Sequence, residues 1–135
     1  LETPQDAKIL QGGSVLIAAA VNLENRAKLL MDAGAEVIIL PNPQGKVELR
    51  DLLQALAKRG INEVHAEAGF KLNGSLLREG LVDEFLIYLA PCLIGHDAAG
   101  LFNLPALTSL NGKRRLQIRD LRQVGADIRV LARPA

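Results

Sequence analysis

The residues best suited to chemistry lie in the stretch 63–77, EVHAEAGFKLNGSLL, where a short apolar segment runs through a glycine into a helical pattern. A strand-to-helix junction of this kind is where an α/β protein can hold an anion. The N–H groups of the first helical turn have no partners inside the helix and carry the positive end of its dipole. Gly69 would let the backbone approach a phosphate closely, Asn73 and Ser75 offer further donors, and Lys71 places a positive charge in the first turn. Glu67 falls at the carboxyl end of the expected strand, where α/β sheets keep their ligands. A carboxylate there needs either a backbone partner or a ligand, and position alone leaves the two open. Spacing alone likewise fits a phosphate turn and a packing turn equally well.

Other candidates are weaker. His65 shares the segment with apolar neighbours and reads as a structural residue, and the His96–Asp97 pair beside one cysteine is no metal-ligand pattern. Cys92 has no predictable basic partner and reads as a small packed residue. Asp83 and Glu84 read as fixing the turn into a strand, and Asp32 as solvated.

The elements that must position these residues follow from periodicity and punctuation. Residues 1–13 form a polar leading segment, and 15–19 is a continuous apolar strand of the kind covered on both faces. Asn22 is expected to cap a helix over 23–33, with Leu23, Ala27, Leu30 and Met31 on one stripe and Gly34 as its stop. A strand over 36–40 leads into the loop 41–45, where two prolines and a glycine exclude regular structure. A helix over 49–59 buries Leu49, Leu52, Leu53 and Leu56 and ends with Lys58, Arg59 and Gly60. Then come the strand 63–67, a helix over 70–78 stopped by Gly80, and a strand over 85–90 ended by Pro91. Strands alternating with helices in close succession predict an α/β layer fold with right-handed parallel crossovers. The 92–113 segment has no periodicity and is long for a structureless loop, which predicts a functional segment or an edge cover. Residues 115–124 and 126–131 predict an antiparallel hairpin. Its cations, Lys113, Arg114, Arg115, Arg119, Arg122 and Arg129, read as the solvated side of an edge.

Composition bounds the rest. A chain of 135 residues predicts one domain, 1–135, burying roughly two-thirds of its unfolded surface. Its 16 basic and 15 acidic residues leave a net charge of +1, too little field for a nucleic-acid or anionic-membrane partner. With three Phe, one Tyr and no Trp, the core falls to Leu, Ile, Val and Ala, and stacking platforms for bases are scarce. No apolar run approaches the ~20 residues of a membrane helix. One cysteine and no leader pattern point to a cytoplasmic protein.

The motifs EVHAEAG (63–69), LNGSLLREGLVDE (72–84) and LAPCLIG (89–95) resemble the reductase domain of the bifunctional riboflavin-biosynthesis deaminase-reductases, the RibD family. The likeness is nearly unbroken from 64 to 95 and extends weakly to LETP (1–4) and the terminal hairpin. It implies a dihydrofolate-reductase-like fold: three layers, a mostly parallel sheet with helices on both faces, and a C-terminal antiparallel hairpin. It implies NADPH as cofactor, a phosphoribosylamino-pyrimidine as substrate, reduction of the ribosyl group of 5-amino-6-(5-phosphoribosylamino)uracil to the ribityl form, and a homodimer. By the same resemblance Glu67 binds substrate ribose hydroxyls, and Gly69, Phe70, Lys71, Leu72, Asn73, Gly74 and Ser75 form the cofactor-phosphate segment. No catalytic residue and no metal follow from it. Two departures stand out: Phe70 replaces a proline suited to the first helical turn, and Lys71 replaces a threonine. In the family, much of the substrate surface precedes the segment that begins here, and residue 1 is leucine. The sequence therefore predicts the C-terminal portion of a reductase domain, its N-terminal part absent and its activity alone in question. The zinc signature of the companion deaminase is not in the sequence. A non-catalytic nucleotide-binding or dimerisation fragment, or another dihydrofolate-reductase-like reductase, are the alternatives.

Overall fold

The computed structural model describes residues 2–95, 97, 98 and 100–135. Leu1 of the leading motif and His96 of the His96–Asp97 pair lie outside the described residues. The chain divides into two compact units, Leu1–Val64 and His65–Ala135.

The first unit holds β1 (Val15–Ala19), α1 (Glu24–Asp32), β2 (Ala35–Ile39) and α2 (Leu49–Lys58). β1 and β2 pair in parallel, Val15 opposite Ala35 through Ala19 opposite Ile39, with α1 as the crossover. α1 starts one residue later than its periodicity predicts, with Leu23 and not Asn22 at the cap and no side-chain capping bond. Ala27 and Leu30 are buried, Leu30 completely, whereas Leu23 and Met31 at the ends of the expected stripe are exposed. Gly34 at φ +94° and Gly60 at φ +80° end α1 and α2 in the left-handed conformation that glycine adopts without strain. α2 is capped by Glu48, whose carboxylate accepts from the Arg50 amide at 3.3 Å. The 41–45 loop satisfies itself: the Asn42 Oδ1 accepts from the Gln44 and Lys46 amides at 3.0 and 2.9 Å. That is a plain connection held by an Asx turn.

The second unit holds α3 (Phe70–Arg78), β3 (Phe85–Leu89), β4 (Leu116–Val124) and β5 (Asp127–Pro134). Its sheet is antiparallel in the order β3-β5-β4. The α/β class is as expected. The mostly parallel sheet is corrected: the strand expected over 63–67 carries no pairing, and β3 runs antiparallel to β5. The alternation at 63–67 marks an extended chain, but a strand exists only through a partner's ladder, which no local pattern encodes. The hairpin reaches three residues further than expected, to Pro134, and turns at Gly125, whose φ of +63° suits the first central position of a type II′ turn.

β4 carries a bulge between Ile118 and Asp120. Apolar residues at 116, 118 and 121 break strict alternation, and the extra residue, Arg119, restores it: Ile118 opposes Ala132 and Leu121 opposes Val130 on one face. The same step moves Asp120 to the other face, beside Arg122 and Arg129. Its Oδ2 accepts from Arg122 Nε at 2.8 Å and Arg129 Nη2 at 2.7 Å. The Arg122 hydrogen bond foremost, then that of Arg129, holds the Asp120 carboxyl down from 3.8 to about 2. On β5, Arg133 pairs at 3.0 Å with Glu84, the residue before β3. Cys92 is exposed, not packed, because it follows Pro91 in a segment outside the sheet.

Part of the 92–113 segment is a strap over α3. Asn103 N–H donates to the Phe70 carbonyl at 3.0 Å, Arg78 donates to the Asn103 carbonyl, and Phe102 meets Phe85 edge to face at 5.7 Å. Gly74 is where the strap comes closest. A Cβ there would lie 2.7 Å from the Asn103 nitrogen and 2.8 Å from its carbonyl carbon.

Two outcomes follow. Gly74→Ala must push the strap aside; overpacking costs about 1–3 kcal/mol, of which a helix-propensity gain of about 1 kcal/mol offsets part. Urea denaturation should therefore show a net loss of up to about 2 kcal/mol, and raised stability would refute the close approach. Asp120 has a folded pKa below its unfolded one, so its stabilisation is complete above about 3.8 and is lost as pH falls through about 2. The carboxyl-carbon titration of Asp120 should centre near 2, and D120N should flatten the stability–pH curve between those values.

Candidate functional site

α3 begins at Gly69, which caps it in extended conformation at φ −80° and ψ 173° without a side-chain capping bond. Among the described residues, the N–H groups of Gly69, Phe70, Lys71 and Leu72 have no backbone acceptor, since the first bond of the helix is Asn73 N–H to the Gly69 carbonyl at 3.1 Å. No acidic residue lies in this first turn, and Lys71 adds a positive charge to it. The unpaired donors and the helix dipole together make the turn an anion-accepting surface.

Among the described residues a Cβ at Gly69 would meet nothing within 4 Å, and the φ is one any residue adopts. Neither backbone conformation nor packing therefore requires glycine here. This differs from Gly74, whose hydrogen touches the strap, and from Gly80, which closes α3 at φ +67°.

The seven residues of the expected phosphate segment separate into two groups. Gly69, Phe70, Lys71 and Leu72 stand together at the open end of α3. Asn73, Gly74 and Ser75 are spent inside the protein: the Asn73 amide donates to the Ala68 carbonyl at 2.9 Å and the Leu101 carbonyl at 3.4 Å, Gly74 lies under Asn103, and the Ser75 Oγ accepts from Arg78 at 2.9 Å. Helical rise places Ser75 roughly 7 Å along the axis from Phe70, beyond direct reach of an anion at the cap. The missed participants are Arg78 and the strap. Their available signal was Gly74 itself, since a glycine inside a helix costs about 1 kcal/mol and usually has a packing reason.

Glu67 is not a buried strand end. Its side chain is 88% exposed and stands 3.5 Å from the Nε2 of His65, itself 68% exposed. With no strand over 63–67, both side chains face solvent, which also overturns the packed reading of His65. The carboxylate keeps its acceptor capacity available beside the turn. A groove of about 500 Å³ lined by Leu77, Gly80, Lys113, Arg114, Arg115 and Pro134 lies at the other end of α3 and includes none of residues 67–75.

Comparison with known proteins bears on this arrangement. The family model for the RibD C-terminal domain matches residues 1–130. The chain is 41% identical over 91 residues to the riboflavin biosynthesis protein RibD of Escherichia coli, covering 67% of this chain and 25% of that protein. It is 34% identical over 97 residues to a 5-amino-6-(5-phosphoribosylamino)uracil reductase of Buchnera aphidicola, covering 72% of this chain and 47% of that one. The structure of Acinetobacter baumannii RibD superposes with a TM-score of 0.84 at 30% identity, covering 99% of this chain and 35% of that one. The chain thus spans between a quarter and a half of the length of these relatives. With a family model that matches nearly all of it and a shared α/β fold, the chain belongs to the RibD C-terminal domain family.

Proposed function

We propose that this chain is the C-terminal portion of a single, dihydrofolate-reductase-like, three-layered reductase domain. In this reading the domain reduces the ribosyl group of 5-amino-6-(5-phosphoribosylamino)uracil to the ribityl form with NADPH, in riboflavin biosynthesis. The chain contributes the turn that holds a cofactor phosphate and one wall of the substrate pocket. The observation that carries the reading is Gly69: among the described residues, nothing occupies the space where its Cβ would be and the four N–H groups of the turn have no backbone acceptor. Closest backbone approach by a ligand is the remaining reason for a glycine there.

The donors fit a phosphate group, with N–H groups and Lys71 on one side and no first-turn carboxylate to oppose it. NADPH, when bound, supplies the hydride, so the protein's own work is to bind, orient and exclude water. Glu67, exposed and acceptor-only when ionised, takes the role of hydrogen-bonding ribose hydroxyls. The reading includes the homodimer, supported by the apolar side chains Ile118, Leu121 and Ile128, which share one sheet face and remain exposed.

Titration calorimetry of NADPH against this chain and its Gly69→Leu variant tests the reading. The variant should keep the far-ultraviolet spectrum of the parent, because its side chain enters open space, and should bind at least about tenfold more weakly, a loss of ~1.4 kcal/mol. Equal affinity in the two, or a folded parent that does not bind NADPH, would remove the turn from the cofactor site.

A further inference from the structure

Both partners of the Asn73 side chain are carbonyl oxygens, so only its amide NH₂ can serve them, one hydrogen to each. The two carbonyls belong to different segments. Ala68 immediately precedes the cap of α3, and Leu101 lies in the strap. The bond to Ala68 has a geometric consequence. The peptide linking Ala68 to Gly69 is trans and planar, so its C=O and N–H point in opposite directions. Drawing the Ala68 oxygen toward Asn73 turns the Gly69 N–H away from the Asn73 side chain, and that N–H has no backbone acceptor among the described residues.

We infer that Asn73 is a positioning residue: it aims the Gly69 amide at the ligand and, through its second hydrogen, makes that aim depend on the strap. The Asn73 amide cannot rotate to serve Ala68 alone without leaving the Leu101 carbonyl. The strap is held to the same turn independently, by the Asn103 N–H on the Phe70 carbonyl and by the Phe70 ring, 3.5 Å from where a Gly100 Cβ would lie. Turn and strap therefore order together, and a phosphate on the turn stabilises both. The inference rests on the turn being the cofactor-phosphate site, and its structural half can be read without any ligand.

The experiment combines backbone ¹⁵N order parameters with NADPH titration on the parent, N73L and D120N. N73L keeps the side chain's bulk and removes both donors; D120N weakens the hairpin without touching turn or strap. In N73L the order parameters of Gly69 and of residues 101–103 should fall together, from about 0.85 toward 0.6, while D120N leaves them at the parent value. NADPH affinity should drop about tenfold in N73L and stay within about twofold in D120N. Unchanged order at Gly69 in a folded N73L overturns the inference, as does a loss of order confined to one of the two segments. Lowered order with unchanged NADPH affinity removes the positioning role. A parent that binds no NADPH, with turn and strap still loosening together in N73L, upholds the coupling and refutes the cofactor reading instead.

Discussion

The contact between Gly74 and the backbone of Asn103 sets what the second unit can do. Two polypeptide segments meet there with no side chain between them, so the strap lies near enough for Arg78, Asn73 and Phe70 to reach its carbonyls and amides. One missing methyl group thereby permits several hydrogen bonds that a wider separation would forfeit. These bonds satisfy strap backbone that would otherwise depend on water. They also divide α3 functionally. Its middle and C-terminal half face inward to structural partners, and only its first turn keeps donors to spare.

That division accounts for the chemical simplicity of the site. Among the described residues near the turn there is a carboxylate, an imidazole and an ammonium group, all at the surface, and none held by a buried network. In the proposed reading, transfer from a cofactor asks of this segment chiefly donors at one end of a helix and an acceptor for hydroxyl groups.

Much of the arrangement was legible in the sequence. α3 falls on the residues its pattern predicts, Phe70 to Arg78, because its glycine stop, apolar spacing and last-turn cation all agree. α2 was legible for the same reason. Local signals misled where the outcome depends on distant partners. The alternation at 63–67 resembles a strand, yet strand formation waits on a ladder from elsewhere in the chain, and with it went the burial of Glu67 and His65. Asn22 is a good capping residue by type, but the helix starts at Glu24 and leaves the cap to Leu23. The roles of Asn73 and Ser75 were hidden because a polar side chain near a helix start can face a ligand or its own protein. For Asn73 the strap, some thirty residues away in the chain, takes part in that choice, and for Ser75 it is Arg78 one turn on.

The bulge at Arg119 reaches beyond the register it corrects. β4 is an outer strand of its sheet and, at nine residues, longer than the five of β3 on the opposite side. A long regular outer strand offers its free backbone groups as a template on which another chain can deposit, the first step of edge-to-edge aggregation. Arg119 interrupts that template near its middle with an unpaired residue, added local twist and a cation. The irregularity that keeps Ile118 and Leu121 on one face thus also protects the sheet's longest rim from uncontrolled growth.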